Sequence, residues 1–407
     1  MSDQPIPTGT LARLTAAKAV ANTALRWIPP FLPTLERAFG VSTTQLTSVL
    51  GLGEAAGLST VVVGRHLDRG RERLVMISGL TAISVSSMIA LAGSIWTFGI
   101  AFVILILGVA NFTVAGHVWI SHRIEYRWRA RSIGLFETSW ALALLIGGPI
   151  VAVLINLFGW RGPFVFLAIA CGLAAVLVAV SLPAPVGADD PNDPNDVHLG
   201  DRPDADENDG VDGVDGADGV VTSRRLTLKA WLTVIGSATL APAGLSIFVI
   251  SGTWLDDQFG VSTGGLGIIV MGFGAVELIA SVSTATFADR LGKMRSTLGG
   301  LAVLVVGLLV MLAAGDRLWV GVVGLLVLLL GFEYGFVTSL SLVSEAMPEA
   351  RGTTLAVSNA VGTLTRGTGT ILSGALYSAF GIGGPAALSA TAGAIALSCF
   401  VLSRRVG

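Results

Sequence analysis

Seven ionisable side chains lie inside long apolar stretches of this 407-residue sequence. They are Lys18, Arg26, Glu54, Glu137, Glu277, Glu333 and Arg366. A charge near the centre of a bilayer costs about 2.5 kcal/mol or more, so each of these side chains is expected to face a cavity or a partner. Cations in such places can hold an anionic group, and desolvated carboxylates can exchange protons near working pH. The set predicts binding and proton exchange in the middle of a membrane protein.

The composition places those stretches in lipid. Apolar residues make up 53% of the chain and charged residues 13%, and the mean hydropathy is +0.77. A soluble globular protein has about twice this charged fraction. Twelve apolar runs of roughly 20 residues can each cross a hydrocarbon core. We number them spans 1 to 12, and they cover residues 11–33, 46–64, 74–94, 97–119, 132–156, 163–183, 229–251, 264–286, 297–314, 318–343, 353–376 and 384–402.

The distribution of basic residues predicts the orientation in the membrane. With the N-terminus in the cytoplasm, seventeen Lys and Arg residues fall in the inner loops and flanks, and three, Arg37, Arg161 and Arg317, fall in the outer loops. Cytoplasmic loops are enriched in basic residues, so both termini are predicted to be cytoplasmic. The first ten residues lack the pattern of a cleaved signal, and span 1 is expected to be retained in a plasma-membrane protein.

The chain contains an internal repeat. Gly51-x-Gly53 followed by Gly64-x-x-x-Asp68-Arg69 recurs as Gly272-x-Gly274 followed by Ala285-x-x-x-Asp289-Arg290, at an offset of 221 residues. A second motif, Phe-Gly-x-x-Gly-Pro at residues 158–163, recurs at residues 380–385. Two similar membrane-embedded halves are typical of transporters, because matched bundles can rock about a site held between them.

An acidic segment separates the two halves. Residues 183–221 hold twelve of the 27 acidic residues and one base, Arg202. The segment has no apolar period, so it cannot bury enough surface to offset the entropy of ordering. We predict a six-span bundle at residues 1–183, a disordered cytoplasmic linker at 184–226 and a second bundle at 227–407.

Several motifs resemble those of the major facilitator superfamily. Residues 288–295, Ala-Asp-Arg-Leu-Gly-Lys-x-Arg, are similar to its signature loop, and residues 64–73 form a first-half copy that lacks one residue after Arg69. Family-like pieces also occur at residues 30–33, 159–161 and 348–352. The resemblance implies an all-α membrane fold of twelve helices in two parallel six-helix repeats. It also implies that spans 3, 6, 9 and 12 are peripheral, and these contain none of the seven intramembrane charges.

The resemblance also implies a conformational latch built on the repeated loop. Its residues would be Gly64, Asp68, Arg69, Asp289 and Arg290. Asp68 would meet the start of span 11 near Gly352 and an arginine of residues 123–131, and so hold one conformation closed. The alternative is a simple turn that carries positive-inside charges.

Other polar side chains are candidates for the lining of a central cavity. Lys18, Asn22 and Arg26 form one stripe on span 1, although Lys18 could instead extend to the inner membrane surface. Further candidates are Asn111, Trp140, Glu277, Tyr334 and Arg366. His117 could also line the cavity or carry a proton. For His117, Trp140 and Tyr334, core packing is the alternative.

Two carboxylates are the candidates for proton coupling, Glu333 and Glu54. Glu54, Glu333 and Arg366 lie within about one helical turn of the membrane midplane. Glu54 and Arg366 come from opposite halves, on spans that are neighbours in the fold that the chain resembles. We therefore expect them to form a charge pair, and Glu333 then has no assigned permanent partner.

These features favour a secondary active transporter that works by alternating access. No catalytic constellation, metal site or phosphate-binding loop is visible, and Cys171 and Cys399 are expected to be core residues. The first hypothesis is proton-coupled efflux of amphipathic compounds, and the second is proton-linked uptake of an organic anion. A membrane-embedded enzyme or sensor is a third. The expected partners are a small-molecule substrate, protons and the bilayer, with no cofactor and no nucleic acid, and the chain is expected to act as a monomer.

Overall fold

The computed structural model describes residues 8–59, 67, 70–182 and 226–406, apart from the side chains of six of these residues. Those six are Thr8, Ser59, Tyr126, Arg127, Ala130 and Asp289. Every regular element in these ranges is a helix, so the predicted all-α class is confirmed. The predicted linker lies outside the described residues except for Leu226, at its end.

Proline residues interrupt two spans of the first half. Spans 1 to 6 contain the helices Thr8–Arg26, Pro29–Phe31 and Leu32–Phe39 (span 1), Thr43–Glu54 and Ala55–Ser59 (span 2), Glu72–Ala90 (span 3), Ile95–Arg123 (span 4), Tyr126–Leu145 and Gly147–Phe158 (span 5) and Arg161–Ser181 (span 6). Pro29 and Pro30 have no N–H to donate, and span 1 passes there through a short 3-10 helix. Pro149 likewise cannot donate to the Leu145 carbonyl, and span 5 is broken at Ile146.

The helices of the second half extend beyond the predicted apolar runs. Spans 7 to 12 contain Leu228–Phe259 (span 7), Thr263–Leu291 (span 8), Lys293–Leu312 (span 9), Leu318–Glu345 (span 10), Pro348–Ala350 and Arg351–Phe380 (span 11) and Gly383–Arg405 (span 12). Span 7 was predicted to end at residue 251 but continues to Phe259, because helical hydrogen bonding does not stop where the apolar sequence stops.

Nine helical stretches of the described chain are each long and apolar enough to cross a membrane. The other three predicted spans do not meet these criteria of length and apolar composition, each for a different reason. Span 1 is broken and carries three basic residues, Arg13, Lys18 and Arg26. Span 2 runs into residues outside the described ranges, and span 11 is 30 residues long but rich in Gly, Thr and Ser.

The backbone repeats its turns in the two halves. In the described ranges, the residues with positive φ are eight glycines. They form four pairs separated by 220 or 222 residues: Gly40 with Gly260, Gly70 with Gly292, Gly93 with Gly315, and Gly159 with Gly381. Only glycine adopts this conformation without a steric cost. The first pair opens a repeated Gly-Val-Ser-Thr sequence, in which Ser42 and Ser262 cap spans 2 and 8.

The two halves pack tightly at the end of the molecule opposite the chain termini, which we call the distal end. A Cβ at Gly51 would overlap Ile371, and one at Gly148 would overlap Val270, so spans 2 and 11 and spans 5 and 8 touch through glycine. The Arg37–Asp256 ion pair and a 2.8 Å hydrogen bond between the Thr44 and Ser378 hydroxyls join the halves at this end. The distal end is therefore closed.

The structure opens toward the opposite end, where the chain termini lie, which we call the proximal end. Span 11 is exposed on most faces from Arg351 to Asn359, and span 8 is exposed on most faces from Ser281 to Phe287. In the middle of the bundle, the Glu137 side chain is 44% exposed and the Arg366 side chain 30%. We infer from these exposures that a cavity between the halves reaches these residues from the proximal end.

Adjacent glycines in span 9 provide a test of the packing. A Cβ at Gly300 would lie 2.5 Å from the Gly335 nitrogen of span 10, whereas one at Gly299 would meet nothing within 4 Å. We expect Gly300→Ala to cost about 1–3 kcal/mol through overpacking and to lower the melting temperature in detergent. Gly299→Ala is the matched control and should leave the melting temperature unchanged or slightly higher. Equal effects would mean that spans 9 and 10 do not pack as described.

Candidate functional site

The intramembrane ionisable side chains form ion pairs in the middle of the molecule. Six of the seven form three pairs: Lys18 with Glu137, Arg26 with Glu277, and Arg366 with Glu54. The two last pairs join the halves, and the first lies within the first half. In a low-dielectric interior an unpaired charge is costly, which explains why charges on different spans come together.

Arg26 and Glu277 are the most buried of these pairs. Arg26 Nη1 donates to Glu277 Oε2 at 2.5 Å, and Nη2 donates to Oε1, so the contact is bidentate. The side chains are 5% and 6% exposed. Arg26 also donates to the Trp140 carbonyl at 2.9 Å, and its guanidinium lies 4.3 Å from the centre of the Trp140 ring. The sequence suggested that Arg26 and Glu277 line a cavity, but in this conformation they link the two halves.

Glu333 lies beside this link, close to both of its members. Its carboxylate is close enough to Glu277 and Arg26, and also to Glu137, for electrostatic interaction. Among the described side chains, none forms a hydrogen bond or an ion pair with it. Glu277 is thus a carboxylate between a cation and a second carboxylate. A proton on Glu333 removes the repulsion between the two acids.

Lys18 and His117 meet on one oxygen of Glu137. Lys18 Nζ lies 2.5 Å from Glu137 Oε1, and His117 Nε2 lies 2.6 Å from the same atom. Lys18 is fully buried and lies over the Phe136 ring, with its nitrogen 4.2 Å from the ring centre. Lys18 therefore points into the bundle, and the alternative in which it extends to the membrane surface does not describe this structure.

Glu54 and Arg366 meet across spans 2 and 11. Arg366 Nε lies 3.4 Å from Glu54 Oε2, and Arg366 Nη2 donates to the Thr363 hydroxyl at 3.3 Å. Both side chains are partly exposed, at 24% for Glu54 and 30% for Arg366. This ion pair is longer and more exposed to solvent than the Arg26–Glu277 pair, so we expect it to break more easily.

The remaining cavity candidates lie around these pairs. Asn22 donates to the Ser139 hydroxyl at 3.2 Å and so packs span 1 on span 5. The side-chain oxygens of Asn22 and Asn111 are buried, and neither has a hydrogen-bond partner in the part of the chain that the structure describes. Trp140 and Tyr334 are partly buried, and the Trp140 ring supports Arg26. Tyr334 follows Glu333 on span 10.

The predicted latch falls mostly outside the description. Gly64, Asp68 and Arg69 lie outside the described residues, as does the side chain of Asp289. Arg290 is exposed and lines a cleft of the second half at the proximal end, together with Lys293 and Arg404. The latch stays a prediction.

Comparison with known families identifies the fold. A family model described as the Major Facilitator Superfamily matches residues 14–370, and a further match covers residues 234–406. The chain belongs to the major facilitator superfamily. The family consists of membrane transporters, so this chain is a multi-pass secondary transporter, and its similar proteins are transporters and not enzymes.

Sequence relatives include both uncharacterised and named transporters. An uncharacterised transporter of this superfamily from Bacillus subtilis, YwfA, is 25% identical over 92% of this chain and 86% of its own length. The cis,cis-muconate transport protein of Acinetobacter baylyi is 27% identical over 38% of each chain. A probable L-galactonate transporter of Escherichia coli is 26% identical over 44% of this chain and 42% of its own.

Two solved structures share the fold of this chain. A bacterial homologue of the human lysosomal transporter Spinster, in an inward-facing and occupied conformation, has a TM-score of 0.74 at 16% identity and covers 99% of this chain and 98% of its own. A D-xylose–proton symporter has a TM-score of 0.73 at 15% identity over 97% and 96% of the chains. Identities this low support the shared fold alone.

Sequence reasoning did not single out the Glu137–His117 contact. Glu137 was recognised as an intramembrane charge without an assigned role, and His117 was treated mainly as a packing residue. The two residues are 20 positions apart on spans 4 and 5, and the described spans meet at residues 124–125. His117 lies seven residues before this connection and Glu137 twelve residues after it, so counting from the connection would not have paired them.

The buried link between the halves can be tested by paired substitutions. Glu277→Leu should cost about 3–5 kcal/mol because it leaves the Arg26 charge buried and unpaired, whereas Arg26→Met with Glu277→Leu should restore most of the loss. The measurement is thermal unfolding in detergent. The comparison is the less buried pair, where Glu54→Leu alone should cost less than Glu277→Leu because the Arg366 side chain that loses its partner is 30% exposed. Additive losses for Arg26 and Glu277 would contradict a direct ion pair.

Proposed function

We propose that this protein is a proton-linked transporter of a small organic anion. The observation that carries the proposal is the charge balance of the central cluster, which contains three cations and four carboxylates. With all seven charged and His117 neutral, the cluster has a net charge of −1. Each bound proton raises this charge by one unit, so proton binding and anion binding favour each other.

Glu333 is the carboxylate that we assign to proton coupling. It has no partner among the described side chains, so a proton there breaks no existing ion pair. It also faces Glu277, which holds Arg26 of the opposite half. Loss of the proton returns a negative charge to Glu333. This charge repels Glu277 and competes with it for Arg26, so it weakens the Arg26–Glu277 contact. This arrangement couples the protonation state of Glu333 to the contact between the halves.

Alternating access is part of this proposal, and the contacts at the two ends support it. The positive-inside bias supports cytoplasmic termini, so the open proximal end would face the cytoplasm. The opposite state requires the distal contacts to part, including the Arg37–Asp256 ion pair and the Thr44–Ser378 hydrogen bond. In the same proposal, the acidic residues 184–226 link the two halves, and a single chain forms the transport unit. The loop that contains Asp68 holds the proximal end closed in the opposite state.

The named sequence relatives support an anionic substrate. Muconate and galactonate are both organic anions, and the two proteins named for them match this chain over less than half of their lengths. They support the chemical class and leave the individual substrate open.

Proton-coupled efflux of amphipathic compounds is the second candidate. The partly buried rings of Trp140 and Tyr334 and the net negative cluster would suit a cationic amphipathic compound. The two candidates differ in the effect of protons, because protonation of the cluster favours an anion and expels a cation. Binding that strengthens at low pH supports the anion, and binding that weakens supports the cation.

Transport in proteoliposomes tests the role of Glu333. With an imposed pH gradient, labelled cis,cis-muconate or L-galactonate should accumulate in vesicles that contain the wild-type protein. Glu333→Gln should reduce this accumulation at least tenfold and leave exchange of labelled for unlabelled anion within about twofold, since the neutral amide resembles the protonated carboxyl group. Unchanged accumulation would remove Glu333 from the coupling mechanism.

A further inference from the structure

We infer that Lys18 is an anion-binding residue that Glu137 covers, and that a proton delivered through His117 uncovers it. The inference rests on the proposed organic-anion transport and adds to it a second proton site, separate from Glu333 and contained within the first half. Its groups come from spans 1, 4 and 5, and they share a single oxygen, Oε1 of Glu137.

The exposed fractions of the three side chains indicate how far each lies from the cavity. Glu137 is 44% exposed and His117 is 37% exposed, whereas Lys18 is 2% exposed. Glu137 therefore stands between the cavity and the ammonium group. An anion that enters from the proximal end reaches the carboxylate first, and it can reach Lys18 only after Glu137 gives up its contact. Lys18 is held in place meanwhile by the face of the Phe136 ring.

The hydrogen bond between His117 and Glu137 fixes which ring nitrogen carries the proton. An ionised carboxylate has no proton to donate, so His117 Nε2–H must donate to Glu137 Oε1 over the 2.6 Å contact. Nδ1 of the neutral ring then has a free lone pair. Nδ1 can take up a proton from the cavity while the proton on Nε2 passes to Glu137. One proton is gained from the cavity, and no other bond is made or broken.

Protonation of Glu137 leaves Lys18 as a buried cation without a counterion. Such a state is unfavourable by several kcal/mol, and a carboxylate from the substrate relieves it by taking the place of Glu137. Proton uptake and anion binding are thus linked at this site, and each strengthens the other by the same factor. Release of the proton returns the negative charge to Glu137, which competes with the anion for Lys18.

Other charged groups near the site must be separated from it in an experiment. Glu333 on span 10 is within electrostatic reach of Glu137. The Arg26–Glu277 pair lies two turns further along span 1, where span 5 packs on span 8. Glu333→Gln removes the other proposed proton site, and the bidentate pair stays intact. The test therefore uses this variant as its background.

Anion binding measured against pH tests the inference. In the Glu333→Gln background, calorimetry with cis,cis-muconate and with L-galactonate should give an affinity that falls up to tenfold per pH unit as pH rises, the slope of one linked proton. Adding Glu137→Gln should abolish the slope and keep tight binding, because the amide cannot hold a negative charge over Lys18. Adding Lys18→Met should weaken binding at least tenfold at every pH.

The chain contains a matched control for these substitutions. His122, also on span 4, contacts Glu72 at the same 2.6 Å distance, outside the central cluster. His122→Asn should leave both affinity and pH slope unchanged, whereas His117→Asn should shift the pH range over which affinity changes. If Lys18→Met fails to fold, Lys18→Met with Glu137→Gln leaves no stranded charge and should still lose anion binding.

The outcomes separate the two proposals. Failure of the wild-type protein to bind either anion would overturn the proposed substrate class and this inference with it. Binding that persists in both Lys18 variants, or a pH slope that survives Glu137→Gln, would overturn the inference alone and leave organic-anion transport standing.

Discussion

The cost of a charge in a low-dielectric interior is the constraint on which the rest of this structure depends. Because of this cost, three cations on spans 1 and 11 form ion pairs with carboxylates on spans 2, 5 and 8. Two of these contacts cross between the halves, so the positions of the bundles and the pairing of the charges are set together. A movement of one half against the other would have to break or exchange the two contacts that cross between them.

The second constraint is steric and acts at the distal end. Spans 2 and 11 approach each other through Gly51 and Gly367, where either Cβ would overlap the other backbone. Spans 5 and 8 do the same through Gly148 and Gly274, against Val270 and Leu145. These glycine contacts involve few polar groups, so their separation by itself would leave no charge without a partner. At the distal end, the Arg37–Asp256 ion pair adds an ionic contact to this steric packing.

Particular residues show how far the sequence predicted the site. The pairing of Glu54 with Arg366 was expected from their depth and from the neighbouring positions of spans 2 and 11, and the two side chains lie at ion-pair distance. The bidentate contact of Arg26 with Glu277 was not foreseen, because 251 residues separate them and depth alone does not select one partner among several carboxylates.

The sequence by itself determined the class of the molecule. The signals are local or periodic, and each has a direct physical cause. They are apolar runs long enough to cross a bilayer, a repeat offset of about 221 residues, and Lys and Arg residues concentrated in the loops on one side of the membrane. The helix break in span 1 and the glycine turns follow equally from residue type. Only the tertiary structure decided that Glu137 takes both Lys18 and His117 on one oxygen and that Glu277 takes Arg26. Ion pairing depends on the rotation of each helix about its axis, and that rotation is set by packing against every neighbour at once.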